Sequence, residues 1–339
     1  MEIQMFDLSP DKIEERLTAR PTRGEFTAIL IVSFCFFGIV YFAATVPSFW
    51  YGYDYGNYIN GALGIKTIYF LPEWLLPIFE ILAWLPKEWG FLIWGIVNIL
   101  GYWFAIRVFG GKIVPALLNY QLFYSLFYGQ IVGITAAGLA LMWWSMHRQR
   151  WHLAGVGGLV AVSKVQVGGV LGLAIWLLTP ATWRDRFRML IIPILVLIVS
   201  LVFNPDWLFE LRTRLNESPP NDFGSIALWS WVGPLSLLVW IPVLSLKMPA
   251  GRRLIAVAAA TALGVPYFQQ TDLVHLYMFP IGYLGFLGNI GLSLSSGGWR
   301  ALRLTVFVAI ITYVWVLWEP TRQLIQLRRA RKHTASASN

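Results

Sequence analysis

The chain has 339 residues, 57% of them hydrophobic and 13% charged, with a formal net charge of +9. Soluble domains carry about 25% charged residues, so this composition excludes an ordinary globular protein. The lysines and arginines fall in short clusters between apolar runs, which is a topology signal rather than a nucleic-acid surface. Those runs are continuous, not alternating, so they predict membrane helices and not a β-barrel. The lone cysteine, Cys35, leaves no internal disulfide.

Residues 1–25 read as a cytoplasmic lead-in, held inside by Lys12, Arg16, Arg20 and Arg23. They lack the apolar core of a cleaved signal. Phe26 to Thr45 is the first predicted span. A polar patch follows, with one carboxylate, Asp54, set among Tyr51, Tyr53, Tyr55 and Tyr58. An ionisable group at a membrane boundary reads either as functional or as a solvated member of an aromatic belt. The stretch from Pro72 to Pro86 is too short to span and predicts a helix lying in the outer interface.

Trp89 to Val108, Ile113 to Tyr128 and Ile131 to Met146 are the next predicted spans. A broken hairpin should come next: Leu153 to Val162 rises, Ser163-Lys164-Val165-Gln166 interrupts, and Val167 to Leu178 descends. Met189 to Phe203 rises to a polar insert, residues 204–230. Val232 to Leu246, Leu254 to Phe268, Leu273 to Leu294 and Leu304 to Trp318 complete the series. The expected fold is therefore an all-α polytopic bundle with about 10–12 spans. An odd number would put the basic tail, residues 319–339, outside, against the positive-inside rule. Thr334 to Asn339 are expected to be disordered.

No glycine-rich phosphate loop and no Ser-His-Asp constellation is visible. His147 and His152 lack metal-ligand spacing, and no acidic pair sits beside Asp54 for a metal. Asp54, Lys164, Arg212, Arg214 and Asp272 all fall at or near the predicted outer face. A carboxylate there can take a proton from an attacking hydroxyl. Lys164 either docks a lipid-linked phosphate or snorkels to the interface. Arg212 and Arg214 either clamp phosphate or sugar, or pair with Glu210 and Glu217. Asp272 and His275 stand at the mouth of a late helix. Asn216-Glu217-Ser218 is a formal glycosylation sequon.

Taken together, these residues resemble the GT-C superfamily of membrane glycosyltransferases, and within it glycosyltransferase family 87. The resemblance rests on Asp54 with Tyr58, on Tyr69-Phe70-Leu71-Pro72 to Pro86, and on Phe91 to Asn98. Further on it rests on Gly129-Gln130-Ile131-Val132, on Ala154-Gly155 to Ser163-Lys164-Val165, and on Pro266 to Pro280. Val132 stands where the family has Asn, Val165 where it has Pro, and Leu273 where it has His. The resemblance implies a single catalytic bundle over residues 26–318 in the plasma membrane. It would move a sugar, often mannose, with inversion, from a polyprenyl-phosphate donor on the extracytoplasmic face. Asp54 would be the base and Lys164 a donor-phosphate contact, with Tyr58, Gln130, Arg212, Arg214, Asp272 and His275 around the substrates. The acceptor would be a glycolipid, glycan or protein hydroxyl, and no metal or other cofactor is called for. The rival reading is a transporter or lipid flippase, which also uses broken helices. A non-catalytic subunit of a larger complex is a third.

Overall fold

A computed structural model describes residues 7–46, 51–65, 72–207, 209, 213, 225–281, 283–294 and 301–337. Its elements are helical, apart from one isolated antiparallel bridge between Ser225 and Gln269. The central strut is α5, Lys87–Phe109. Its Pro86 start and Gly110 stop bracket 23 residues, enough for about 34 Å of helix. Alongside it runs α2, Arg23–Thr45, opened by a capping box between Thr22 and Glu25. Glu25 pairs with Arg107 at 3.1 Å, so the start of α2 meets the end of α5 and the two helices are antiparallel. Before them, α1 (Pro10–Thr18) lies across this end of the bundle. Arg107 donates to the carbonyls of Arg16 and Ala19, and Arg148 pairs with Glu14. Ile13 is buried beneath.

At the other end of α5, α3 (Tyr53–Ala62) and α4 (Leu76–Ala83) pack on its first turns. The eight residues of α4 span about 12 Å, far short of a membrane, as expected for an interfacial helix. Phe79 fixes it, with its ring centroid 4.7 Å from that of Trp94 and 5.1 Å from that of Tyr58.

Residues 113–147 do not form two straight spans. They fold as α6 (Ile113–Leu117), α7 (Tyr120–Tyr128) and α8 (Val132–His147). The first break falls at Asn119, whose side chain leaves the helix pattern to cap α7 at Leu122 N, 2.9 Å. The second falls at Gly129 and Gln130, where α7 and α8 meet at 111°. Three side chains one turn apart on α5 hold this corner and the segments packed beside it. Trp94 Nε1 donates to Gly129 O at 2.8 Å, Asn98 Oδ1 accepts from Gly133 N at 3.0 Å, and Tyr102 OH donates to Val274 O at 2.8 Å. Gly133 has no room for a side chain, because a Cβ would stand 2.0 Å from Asn98 O.

The broken hairpin takes shape as α9 (Trp151–Ala161), a 3-10 turn at Val162–Lys164, a π turn at Val165–Gly169, and α10 (Val170–Leu178). Although Trp151–Leu178 is helical and long enough to cross a membrane, it folds back on itself. Positions 158 and 172 each face Met142 Sδ, with Cβ distances of 3.6 and 3.8 Å. Fourteen residues of straight helix would hold them about 21 Å apart. Lys164 makes the reversal, with φ −125° and ψ 83°. The next helix, α11 (Trp183–Phe203), starts at the α1 end, beside Gly155, and its far end reaches α4, where Asn204 Nδ2 donates to Glu73 Oε1 at 2.9 Å.

The remaining chain is more broken than the hydropathy predicts. Residues 229–245 form α12 (Trp229–Val232), a 3-10 stretch and α13 (Trp240–Ser245). The well-buried α14 (Ala250–Gly264) leads to a 3-10 turn at Gln270–Leu273. Instead of a span over 273–294 there are α15 (Val274–Tyr277), α16 (Leu284–Leu287) and α17 (Ile290–Leu294). A last helix, α18, runs from Val306 through Pro320 to Ala337, so helix continues past Thr334.

Among the described residues, five helical runs are long and apolar enough to cross a membrane by length and composition, the folded Trp151–Leu178 hairpin among them, or six if the bent α7–α8 pair is one crossing. This is a polytopic helical membrane protein. The shortfall from ten to twelve spans has a physical reason. Apolar content records a non-aqueous setting, and several of these segments meet it with runs of short helices in place of one long one.

A cysteine pair tests the hairpin. With Cys35 replaced by Ala, Gly158→Cys and Gly172→Cys are expected to be joined by a short bifunctional thiol reagent. Absence of crosslink by mass spectrometry, with both thiols shown to be reactive, would contradict the reversal at Lys164.

Candidate active site

Asp54 lies in the first turn of α3, where a helix N-terminus favours negative charge. Gly52, at φ 59°, ends the preceding chain, and its N–H donates to Phe127 O at 2.9 Å, tying α3 to α7. Gly129, at φ 75°, closes the other side of this contact: a Cβ there would meet Tyr55 Cβ at 2.6 Å. The result is a carboxylate only 3% exposed. The phenols of Tyr124 and Tyr267 lie within its electrostatic reach.

The tyrosines around Asp54 divide by role. Tyr55 packs on Phe91, and burial pushes its phenol up to about 12, so it stays protonated. Tyr58 faces Phe79 and Trp94, in the aromatic wall shared by α3, α4 and α5. Lys87 Nζ stands 4.5 Å over the Tyr51 ring, and burial with the nearby Glu88 carboxylate raises the Tyr51 phenol.

Lys164 is drawn inward from the hairpin tip rather than out to an interface. Its ammonium pairs with Asp272 Oδ1 and donates to Gln130 Oε1 at 3.1 Å. The Asp272 side chain is 0% exposed and that of Lys164 10%. Gln130 Nε2 donates to Gln269 Oε1 at 3.2 Å. The Gln269 backbone N–H donates to Asp272 Oδ2 at 3.0 Å. These four residues close a ring: Lys164, Gln130, Gln269, Asp272. His275 sits beneath it, fully buried, and donates from Nδ1 to Asp272 O at 3.0 Å. Finally, Gln269 Nε2 donates to Tyr267 OH, extending the network by one side chain.

The structure thus gathers Asp54, Gln130, Lys164, Asp272 and His275 from four distant parts of the chain. Trp94 and Tyr102 of α5 hold Gly129 and Val274, next to Gln130 and His275, about 10–22 Å along that helix from Lys87. Arg212 and Arg214, with Glu210 and Glu217, lie outside the described residues. Gln269 and Tyr267 are not among the site residues that the sequence singles out. The polar run Gln269-Gln270-Thr271-Asp272 is the available signal for the first, and nothing in the local sequence distinguishes the second from an interface tyrosine.

Two cavities border this region. One, about 360 Å³ and apolar, lies between the hairpin arms, α8 and α11, lined by Met142, Val162, Gly169, Gly172 and Met189. Its edge at Val162 is two residues from Lys164. The other, about 560 Å³, lies between α4 and α11 and takes in Glu73 and Glu80. Among the described residues, no three His, Cys, Asp or Glu side chains converge as a metal site.

A buried ionic ring inside a bundle of membrane helices defines an integral membrane protein with an internal polar site. The model of glycosyltransferase family 87 matches residues 72–284, well over half of the chain, and the chain belongs to that family. It is therefore a glycosyltransferase, acting between a sugar donor and an acceptor, and the transporter reading gives way. Gln130, Lys164, Asp272 and His275 fall within the matched stretch, while Asp54 and Tyr58 precede it. No curated protein and no solved structure matches the chain.

Removing one member of the buried pair leaves the other uncompensated, which costs about 3–5 kcal/mol. Lys164→Met and Asp272→Asn are each expected to lower unfolding stability in detergent by amounts of that order. The double variant Lys164→Met/Asp272→Leu should recover most of the loss. Single variants as stable as the parent would show that the pair does not hold the hairpin.

Proposed function

We propose that the protein transfers mannose or another hexose, with inversion, from a polyprenyl-phosphate donor to an acceptor hydroxyl. The observation that carries this reading is Lys164: a cation with a 10% exposed side chain, two residues along the chain from the edge of an apolar cavity, in a polar ring that Gln269 extends to Tyr267. A phosphate headed by a long isoprenoid needs this combination, a cation for the head and a dry channel for the tail.

Asp54 takes the acceptor proton as the acceptor oxygen forms its bond to the anomeric carbon from one face. The bond from that carbon to the phosphate oxygen breaks on the opposite face, and polyprenyl phosphate leaves with the electron pair. Lys164 offsets the charge gathering on the leaving phosphate, which matters most in a site closed to water. Asp272 holds Lys164 in place. The acceptor is a glycolipid, glycan or protein hydroxyl. The reaction belongs on the extracytoplasmic face of the plasma membrane. Arg16, Arg107, Arg148 and Arg186 gather at the α1 end, which the positive-inside rule assigns to the cytoplasm, and Asp54 lies toward the other end.

Purified protein incubated with polyprenyl-phosphate mannose and membrane extract should yield a product one hexose heavier by mass spectrometry. Asp54→Asn should keep its size-exclusion profile and lose about 10²–10⁴-fold in transfer rate. Full transfer by a well-folded Asp54→Asn would sink the assignment of the base.

A further inference from the structure

The cavity of about 560 Å³ between α4 and α11 differs in kind from the apolar one beside the hairpin. Positions 73, 76, 77 and 80 share one face of the α4 segment and line it, while Leu75, Phe79 and Leu82 on the other face are buried. Two carboxylates, Glu73 and Glu80, therefore belong to one wall. Glu73 Oε1 accepts from the neutral amide of Asn204 at 2.9 Å, and Glu80 pairs with none of the described residues. No basic side chain lines the space. Ser200 lines it from α11, only 7% exposed, and its hydroxyl has no hydrogen-bond partner among the described residues. Trp74 adds an indole, met edge-on by Trp207 with ring centroids 5.8 Å apart. The α11 wall is otherwise apolar, and α11 is the least enclosed of the candidate spans, with Val199 and Phe203 exposed.

Two carboxylates with no cation between them, set against a lipid-facing helix, are costly unless a cation arrives from outside the chain. The open side of the cavity is the bilayer, so the cation comes on a lipid. We propose that this cavity binds a membrane lipid headed by a primary ammonium, as in an ethanolamine phospholipid. An ammonium carries three N–H donors, and Glu73, Glu80 and Ser200 are the acceptors offered from the two walls. The Trp74 indole adds a face that attracts a cation. An acyl chain of the same lipid lies along Val199 and Phe203. Other headgroups lack part of this match. A glycerol phosphate brings only negative charge, and a trimethylammonium has the charge without an N–H. The lipid bridges α4 and α11, which the Glu73–Asn204 bond joins at one end. Phe79, on the far face of α4, packs on Tyr58 of α3 and Trp94 of α5. An occupied cavity thus steadies the wall beside the helix that carries Asp54, whichever sugar the site transfers.

The test is thermal unfolding of the full chain in phosphatidylcholine nanodiscs doped with one lipid at a time. The dopants are phosphatidylethanolamine, its N-methyl and N,N-dimethyl forms, phosphatidylglycerol and a glucosyl diacylglycerol. Phosphatidylethanolamine should raise Tm by about 2–4 °C. The rise should shrink with each methyl group that replaces an N–H, and be absent with phosphatidylglycerol and with the glucosyl lipid. Glu73→Gln and Glu80→Gln keep the size and polarity of the wall and remove its charge. Both should melt like the parent in phosphatidylcholine and lose the rise. Native mass spectrometry of the parent, given phosphatidylethanolamine and phosphatidylglycerol in equal amounts, should show the amine lipid retained about tenfold more, the worth of one hydrogen bond to a charged group. That measurement decides the matter if a glutamate variant folds poorly. An equal rise with every dopant, a rise that survives in both glutamate variants, a glucosyl lipid as effective as the amine, or no preference in the mass spectrum overturns the proposal.

Discussion

A lysine ammonium inside a membrane bundle must be neutralised and fully hydrogen-bonded, and much of the site follows from that demand. Lys164 reaches the interior because the hairpin turns there. Asp272 supplies the opposite charge, and it is held ready by the backbone of Gln269. Gln130 takes a second ammonium proton, which requires the chain to bend between α7 and α8 rather than continue as helix. The bend is therefore part of the solvation of a charge. Irregular backbone at depth is tolerated where protein groups surround it, and each irregular piece here brings a side chain to the ring.

The precision of this arrangement depends on α5. Trp94, Asn98 and Tyr102 stand on successive turns of one helical face, and each binds backbone rather than side chain. Two distant stretches are fixed this way: the Gly129 corner with the start of α8, and the segment after Asp272. Close approach at Gly133 keeps α8 in contact with the α5 backbone at the level of Asn98. A rigid element positions the buried polar groups while several of them sit on turns, a division common among enzymes.

How far the sequence reveals this varies with the kind of signal. Asp54 and Lys164 stand out because a charge in an apolar setting is conspicuous whatever the fold. The short helix between Pro72 and Pro86 is legible from its length and prolines, and the hairpin from its polar interruption. The number of crossings is not, because hydropathy records burial and is blind to a 111° corner such as that at Gly129. The pairing of Lys164 with Asp272 is hidden for the same reason: counting turns of helix does not show that two distant turns fold toward one another. Tyr267 and Gln269 escape notice because their importance lies in which atoms they face, and a partner 139 residues away, as Gln130 is for Gln269, leaves no local trace.

The opposite end of the molecule bears on how the chain is assembled. The last carbonyls of α1 are capped by Arg107, and Glu14 of the same helix is held by Arg148. Nine residues make a helix too short to persist alone in water. During synthesis α1 precedes α5 and α8, so it has neither the Arg107 cap nor the Arg148 anchor until both have been made. A helix made early is thus settled late, and its docking reports that α5, the strut of the buried polar ring, is already in place.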